Sequence, residues 1–296
     1  MSALSPWQGQ RMKDFRNYTR PFEIGELIDG DALGVVIASE DPDVEIGARV
    51  TGRLGWQEYA VCDTAGLDRA DARFPDSHWL TALSSPGLTA YSAFDICARP
   101  MPGQTWVVTS GAGAVGGYAV QLGKLAGMRV IAIAGSASKC AYASDTLGAD
   151  RALCYRVPDF SEQLRAATPE GVHLCFDTVG GSIADTVFDN LAKYASVIIV
   201  GRTASNTSDS PGDDPVNMRQ LWAREAKVLP YSRYSHDERF AFAKERMMAL
   251  LAEDKLVTTD TIVDGFESAP DALRRMLSGE FIGKVLVRFA PDEENR

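Results

Sequence analysis

The stretch Thr105-Trp-Val-Val-Thr-Ser-Gly111-Ala-Gly113-Ala-Val-Gly116 joins an apolar strand to a helix through glycines spaced G-x-G-x-x-G. In such a turn we expect Gly111 to permit the sharp change of direction and Gly113 to let a pyrophosphate approach the backbone. Gly116 would let the helix pack close to the strand. This spacing in a strand–helix setting predicts a dinucleotide-binding turn. The alternative is a glycine-rich turn in an α/β protein that binds no nucleotide.

The start of the helix after this turn supports a phosphate site. A helix N-terminus presents backbone N–H groups without intrahelical acceptors and carries a partial positive charge, so it favours an anion. The residues that we expect to bind the cofactor here are Gly111, Gly113, Ala114, Val115 and Gly116.

From Pro86 onward, apolar strands alternate with helices. We predict strands at Thr105–Ser110, Arg129–Ala134, Arg151–Tyr155, Val172–Phe176 and Ser196–Val200, and helices at Val115–Ala126, Lys139–Leu147, Phe160–Ala167 and Ile183–Leu191. Strands that are apolar throughout indicate a parallel sheet covered on both faces. Right-handed crossovers then give an α/β fold with a doubly wound parallel sheet of the Rossmann type.

The stretch from Met1 to about Leu83 is predicted to be β-rich, and the C-terminal end is predicted to run strand, helix, strand. Strand candidates are Leu33–Ile37 and Glu58–Val61 near the N-terminus, and Leu256–Val263 and Lys284–Phe289 near the C-terminus. A helix is predicted between the last two strands at Ala269–Leu277, and a long helix at about Asp237–Glu253 precedes them. We place the domain boundaries at 1–84, 85–256 and 257–296. A loop rich in Ser, Asp, Pro and Gly, Ser205–Pro215, is expected at the carboxyl edge of the sheet, where ligands bind in such folds.

The end of the second Rossmann strand indicates which nicotinamide cofactor is bound. An NAD enzyme usually places a carboxylate there for the ribose 2′-hydroxyl. The chain instead has Gly135-Ser136-Ala-Ser-Lys139, in which Ser136 can donate a hydrogen bond and Lys139 can neutralise a 2′-phosphate. NADPH is therefore the predicted cofactor. The alternative for Lys139 is an ordinary solvated lysine in the first turn of a helix.

Composition excludes several other classes of protein. The formal net charge is −10 and no basic run is present, so neither nucleic acid nor an acidic membrane surface is an expected partner. The first residues lack the apolar core of a signal peptide, and no apolar run is long enough to span a bilayer. Five scattered cysteines and three distant histidines predict reduced thiols, a cytoplasmic location and no metal site.

Several stretches together resemble the zinc-independent medium-chain reductases that include the alkenal, leukotriene, prostaglandin and bacterial curcumin reductases. The matching stretches are Gly55-Trp-Gln-Glu-Tyr-Ala-Val61, Pro86-Gly-Leu-Thr-Ala-Tyr91, Ser110–Gly116, Lys139-Cys140, Phe176-Asp-Thr-Val-Gly-Gly181 and Val263–Pro270. The resemblance implies that the N-terminal segment and the last strands together form a smaller, β-rich GroES-like catalytic domain, here shortened at its start, beside the Rossmann domain. It implies a homodimer. It also implies hydride transfer from NADPH to the β-carbon of an α,β-unsaturated carbonyl such as an enone or enal.

The resemblance also implies roles for individual residues. The 2′-phosphate contacts of the family fall on Lys139 and Tyr155, and Gly201, which opens the loop after the last Rossmann strand, joins the cofactor-binding residues. The alternative for Tyr155 is a core aromatic at a strand end. We expect Trp7, Tyr91 and Tyr231 to line the substrate pocket.

Three departures from the family pattern lie in the substrate half. The chain begins near the family's Asp-Pro-Tyr-Met-Arg stretch, whose aromatic and Arg positions hold Trp7 and Gly9. The family's tyrosine after the last Rossmann strand is missing from Gly201–Thr207, and its cofactor-binding asparagine falls at Phe281. Asn206 is the candidate donor to an enolate oxygen, although it is also a natural turn residue. Other candidate donors are Tyr231, Tyr234, Tyr91 and Tyr18.

Two functions remain open at this point. The first is an NADPH-dependent ene-reductase, with a zinc-free quinone reductase as a near variant. The second is a repurposed member of the family that binds NADP(H) but carries out non-redox chemistry, such as cyclisation or isomerisation, or only binds a ligand. An intact cofactor turn most often serves hydride chemistry, which favours the reductase.

Overall fold

Residues 1–13, 20–203, 218–236 and 238–289 are described by a computed structural model, and Asn206, Tyr18 and the Ser205–Pro215 loop lie outside these ranges. The chain divides into two units. The first unit comprises Met1–Ser84 and Asp260–Arg296, and the second comprises Ser85–Thr259. None of the helices in the described ranges combines the length and apolarity needed to cross a membrane.

The second unit contains a six-stranded, wholly parallel sheet in the order β10-β9-β8-β5-β6-β7. Its strands are β5 (Thr105–Val108), β6 (Arg129–Ala134), β7 (Arg151–Cys154), β8 (Val172–Asp177), β9 (Leu191–Ile199) and β10 (Lys227–Pro230). Trp106, Val107 and Val108 of the central strand β5 are fully buried, as expected where helices cover both faces of a sheet.

Seven helices accompany this sheet in the described residues of the second unit. They are α2 (Ser85–Cys97), α3 (Gly116–Leu125), α4 (Ala137–Asp145), α5 (Phe160–Ala167), α6 (Gly181–Phe188), α7 (Met218–Ala223) and α8 (Glu238–Ala252). The strand order reverses between β5 and β8, and ligands of open α/β sheets bind at the carboxyl edge beside such a reversal. The predicted doubly wound Rossmann fold is confirmed.

The helix predicted at Ile183–Leu191 was wrong at its C-terminal end. Helix α6 ends at Phe188, and Leu191 is the first residue of strand β9. The carbonyl oxygen of Asn190 accepts a hydrogen bond of 2.8 Å from the Val172 N–H, so the chain already pairs with β8 at this point. Leu191 has helical spacing from Val187, but it is buried within the sheet instead.

The first unit contains a second six-stranded sheet, of mixed direction, in the order β11-β12-β1-β2-β3-β4. Its strands are β1 (Ser2–Ala3), β2 (Ala32–Val35), β3 (Arg49–Gly52), β4 (Asp68–Arg69), β11 (Asp260–Asp264) and β12 (Lys284–Arg288), and its helices are α1 (Pro6–Arg11) and α9 (Ala269–Leu277). Helix α9 packs Ala269, Ala272 and Leu273 into a small core with Leu4 and Val285.

Two predicted strands of the first unit require correction. No strand forms at Glu58–Val61, and Tyr59 and Val61 are exposed. The strand predicted at Leu256–Val263 begins only at Asp260. Residues 257–259 belong to the second unit, where the Gln121 side chain exchanges two hydrogen bonds with the backbone of Val257 and the Tyr142 hydroxyl hydrogen-bonds the Thr259 hydroxyl.

Candidate cofactor site

The turn between β5 and α3 is built by Ser110 and Gly111 together. Ser110 takes the left-handed conformation of this turn, with φ of 50°, whereas we expected Gly111 to permit the sharp change of direction. Gly111 has a different constraint. Its N–H donates to the Ile133 carbonyl oxygen over 2.9 Å, and a Cβ at this position would lie 2.7 Å from the Cβ of Ala132. Gly111 therefore lets the turn lie against strand β6.

Gly113 and Gly116 leave the inner side of the turn without side chains. A Cβ on Gly113 would lie 2.5 Å from the Ser110 hydroxyl oxygen, and a Cβ on Gly116 would lie 2.2 Å from the Ser110 carbonyl oxygen. The contact at Gly116 is with backbone, so this position needs glycine before any ligand is considered. At Gly113 the Ser110 hydroxyl could rotate away, but the Ser110 carbonyl oxygen would still lie 3.0 Å from the Cβ. The result is a bare strip of backbone between the end of β5 and the start of α3.

This strip carries donors suited to a pyrophosphate. Among the described residues, the backbone N–H groups of Val115 and Gly116 have no acceptor. Ala114 and Val115 are partly exposed, and no side chain caps the N-terminus of α3. A helix start of this kind binds anions through its N–H groups and its dipole. The arrangement fits the diphosphate of a dinucleotide.

The carboxyl ends of β6 and β7 bring Ser136, Lys139 and Tyr155 together. Ser136 caps α4, because its side chain accepts a hydrogen bond of 3.3 Å from the Lys139 N–H. The Tyr155 ring packs against Gly135, where a Cβ would lie 3.1 Å from the phenol oxygen. Tyr155 therefore lies beside the turn that leads into α4 and is only half-buried. Hydroxyl groups and an ammonium at one sheet edge can hold a phosphate.

Electrostatics distinguish Lys139 from a solvated surface lysine. Burial lowers the pKa of its ammonium, and the positive charge of Arg156 lowers it further. Arg156 was not among the residues predicted from sequence, although it directly follows Tyr155. A second cation next to the predicted phosphate contact is the signal that could have identified it.

A buried network fixes the carboxyl end of β8 at the strand-order reversal. One Asp177 carboxyl oxygen accepts from the Thr109 hydroxyl at 2.7 Å and from the N–H groups of Val179 and Gly180 at 3.0 and 3.1 Å. The Gly201 N–H donates to the Asp177 carbonyl oxygen over 3.3 Å. Asp177 thus ties β5, the turn after β8 and the start of the Gly201 loop to one another.

The predicted substrate-pocket residues are found in both units. Trp7 belongs to the first unit, where the Arg53 guanidinium lies over its ring. Tyr91 and Tyr231 belong to the second unit. The Tyr91 ring packs edge-on against Phe242, with 6.2 Å between ring centroids, and the buried Tyr231 ring stacks on His236. Their substrate role stays a prediction.

Phe281 occupies the family's asparagine position. It packs against the hydrophobic core of the first unit, and the Arg275 guanidinium lies 4.8 Å from the centroid of its ring. A core contact thus accounts for an aromatic side chain at this position.

In the part of the chain that the structure describes, no three His, Cys, Asp or Glu side chains lie close enough together to hold a metal ion. The Nδ1 atom of His173 accepts a hydrogen bond from the Thr105 N–H.

A doubly wound parallel sheet with a glycine-rich turn after β5 and a cation after β6 defines a Rossmann-type dinucleotide-binding protein. Two family models match the chain: "zinc-binding dehydrogenase" over residues 114–252 and "N-terminal domain of oxidoreductase" over residues 2–69.

Individual relatives narrow this class further. The NADPH-dependent curcumin reductase of Escherichia coli is 33% identical over 98% of the chain and 86% of the relative. The 2-alkenal reductase (NADP(+)-dependent) of Nicotiana tabacum is 30% identical over 96% of the chain and 84% of the relative. CurA from Vibrio vulnificus, solved in complex with NADPH, superposes with a TM-score of 0.91 at 32% identity, over 98% of the chain and 88% of that structure. The chain belongs to the medium-chain dehydrogenase/reductase family, with the curcumin and alkenal reductases.

Proposed function

We propose that the chain is an NADPH-dependent double-bond reductase acting on α,β-unsaturated carbonyl compounds. The observation that carries this proposal is the pairing of a bare glycine turn at Gly113 with Ser136, Lys139 and Tyr155 at the ends of β6 and β7. The NADPH-dependent relatives support the same cofactor. NADPH, when bound, supplies a hydride that adds to the β-carbon of the substrate, while the α-carbon takes a proton from water or a side chain.

The chain's own residues bind and position the cofactor in this proposal. The N–H groups at the start of α3 bind the diphosphate, and Lys139, Ser136 and Tyr155 bind the 2′-phosphate. Asp177 is a positioning residue, because it holds the ends of β5 and β8 and the start of the Gly201 loop in register. Much of the rate would come from this positioning. The donor to the enolate oxygen predicted from sequence, Asn206, stays a prediction.

Purified chain mixed with NADPH and a panel of enones, enals and quinones is expected to consume NADPH and release saturated carbonyl products. Absorbance of the reduced nicotinamide and mass spectrometry of the products provide the measurement. The Gly113→Val variant is expected to lose this activity, because its side chain fills the bare turn. Tight NADPH binding without consumption across the whole panel would instead favour the non-redox alternative.

The proposal includes a zinc-free reaction, a cytoplasmic location and a homodimer. The five cysteines are free thiols, which supports the cytoplasmic location. The zinc-free reaction rests on the resemblance to the zinc-independent reductases. Strand β10 supports the proposal of a homodimer. Among the described residues it pairs only with β9, and Val228 on β10 is 40% exposed while Trp222 on α7 is 82% exposed. An open strand edge with apolar neighbours is suited to pairing with a second copy.

The dimer proposal predicts that light scattering finds twice the mass of one chain. Val228→Glu is expected to shift the population to monomer, because a charge then lies on the open edge. Ile37→Glu, which changes an exposed apolar residue of the other unit, provides the matched control and is expected to stay dimeric. A monomeric parent chain, or a Val228→Glu variant as dimeric as the control, would exclude pairing through β10.

A further inference from the structure

Arg156 lies where it can reach the same ligand as Lys139. It follows Tyr155 directly after the end of β7, its side chain is exposed, and its guanidinium carbon lies 5.7 Å from the centroid of the Tyr155 ring. That ring packs against Gly135, which immediately precedes the Ser136 cap of α4. Arg156, Tyr155 and Lys139 are therefore grouped around one turn of the chain.

The surroundings of Arg156 lack a compensating acid. In residues 1–13, 20–203, 218–236 and 238–289, no carboxylate lies within ion-pair distance of its guanidinium. Its charge is close enough to Lys139 to disfavour the protonated ammonium. Most other arginines of the described chain that make close polar contacts do pair with acids, as Arg49 does with Asp76 and Arg275 with Glu280. Two neighbouring cations in a chain of net charge −10 are suited to a dianion.

We propose that Arg156 is a second cation that binds the 2′-phosphate of NADPH together with Lys139 and sets the preference for NADP(H) over NAD(H). This inference rests on the proposed cofactor function. A guanidinium offers two parallel N–H donors to phosphate oxygens, whereas the Lys139 ammonium acts as a compact point charge. The two groups differ in their surroundings. The Lys139 side chain is half-buried, whereas the Arg156 side chain is exposed and lies over the Tyr155 ring.

The contrasting possibility is a solvated arginine that only adds positive potential to this edge of the sheet. The two possibilities differ in specificity. A solvated charge attracts both nucleotides, NADPH more strongly because of its additional phosphate, and its effect is largely screened by salt. A direct phosphate contact acts on NADPH alone, because NADH has a hydroxyl at the 2′ position.

Isothermal titration calorimetry of the full chain with NADPH and with NADH tests the proposal. Arg156→Ala is expected to weaken NADPH binding by about tenfold, the loss typical of one charged hydrogen bond, and to change NADH affinity by less than about twofold. Arg156→Lys keeps the charge without the paired donors, so its loss should fall between those of the parent and the alanine variant. Arg165→Ala, which removes an equally exposed arginine from α5, should change neither affinity.

The outcomes separate this inference from the proposed function. If the parent chain binds NADPH no more tightly than NADH, the proposed cofactor function fails. If the parent prefers NADPH and Arg156→Ala behaves like Arg165→Ala, only the role of Arg156 is overturned. Equal weakening of NADPH and NADH by Arg156→Ala also overturns it, in favour of a general electrostatic effect. Circular dichroism of each variant confirms that the exposed substitutions leave the fold intact.

Discussion

Lys139→Ala is expected to weaken NADPH binding by about a hundredfold, while NADH affinity changes by less than about twofold. The Lys139 side chain is half-buried and close to the charge of Arg156, so its contact with a 2′-phosphate would be poorly screened by solvent. Calorimetric titration with each nucleotide measures both affinities. Lys193→Ala removes an exposed lysine that pairs with Glu225 and is expected to leave both unchanged. Equal losses for NADPH and NADH in Lys139→Ala would contradict a 2′-phosphate role.

The pH dependence of the same titration offers an independent readout. Only the protonated ammonium binds the phosphate well, and burial together with Arg156 lowers the pKa of Lys139. NADPH affinity of the parent chain should therefore fall as the pH rises through this lowered pKa, at a lower pH than for an ordinary lysine. NADH affinity should not follow this curve, and Lys139→Ala should remove it.

Gly116→Ala is expected to lower the free energy of unfolding by about 3 kcal/mol or more and to abolish NADPH binding. Its Cβ would lie 2.2 Å from the Ser110 carbonyl oxygen, 2.8 Å from the Ser110 carbonyl carbon and 3.0 Å from the Thr109 carbonyl oxygen. All three atoms belong to the backbone, so relief requires moving the turn that would bind the diphosphate. Urea denaturation followed by circular dichroism measures the stability.

The adjacent position provides the matched control for this prediction. A Cβ on Gly117 would meet the Leu147 side chain at 3.3 Å, and a side chain can shift by a few tenths of an ångström. Gly117→Ala also gains helix propensity, about 0.5–1 kcal/mol relative to glycine, so its net effect should be small. Equal free energies of unfolding for Gly116→Ala and Gly117→Ala would contradict this prediction, because the close approach of α3 to the end of β5 would then not require Gly116.

The Rossmann unit could be predicted from sequence because its signals are local. Most residues of the strands at 105–108, 129–134 and 172–177 are apolar, and Phe160–Ala167 forms the helix that its spacing predicts. The segment Glu58–Val61 shows why a local signal can fail to predict a strand. Three of its four residues, Tyr59, Ala60 and Val61, are apolar, but a strand also needs a pairing partner, and none of the described residues pairs with this segment.

Only part of the cofactor site could be predicted from the sequence. Lys139 and Ser136 are found by counting along the chain from Gly111. The role of Asp177 depends on Thr109, which is 68 residues away in sequence and meets it only across neighbouring strands. Arg156 belongs to no motif, and its relation to Lys139 arises from the packing of α4 beside β7. The positive φ of the turn belongs to Ser110, whereas Gly111 is required by its close approach to Ala132, and neither constraint can be deduced from the spacing of the glycines.

The most direct test is calorimetric titration of the purified, unmodified chain with NADPH and NADH under identical salt and pH. The glycine turn at Gly113 and the cations near Ser136 predict saturable binding of one NADPH per chain, at least about tenfold tighter than NADH. Failure to bind either nucleotide, or equal affinity for both, would contradict the assignment of this sheet edge to NADPH.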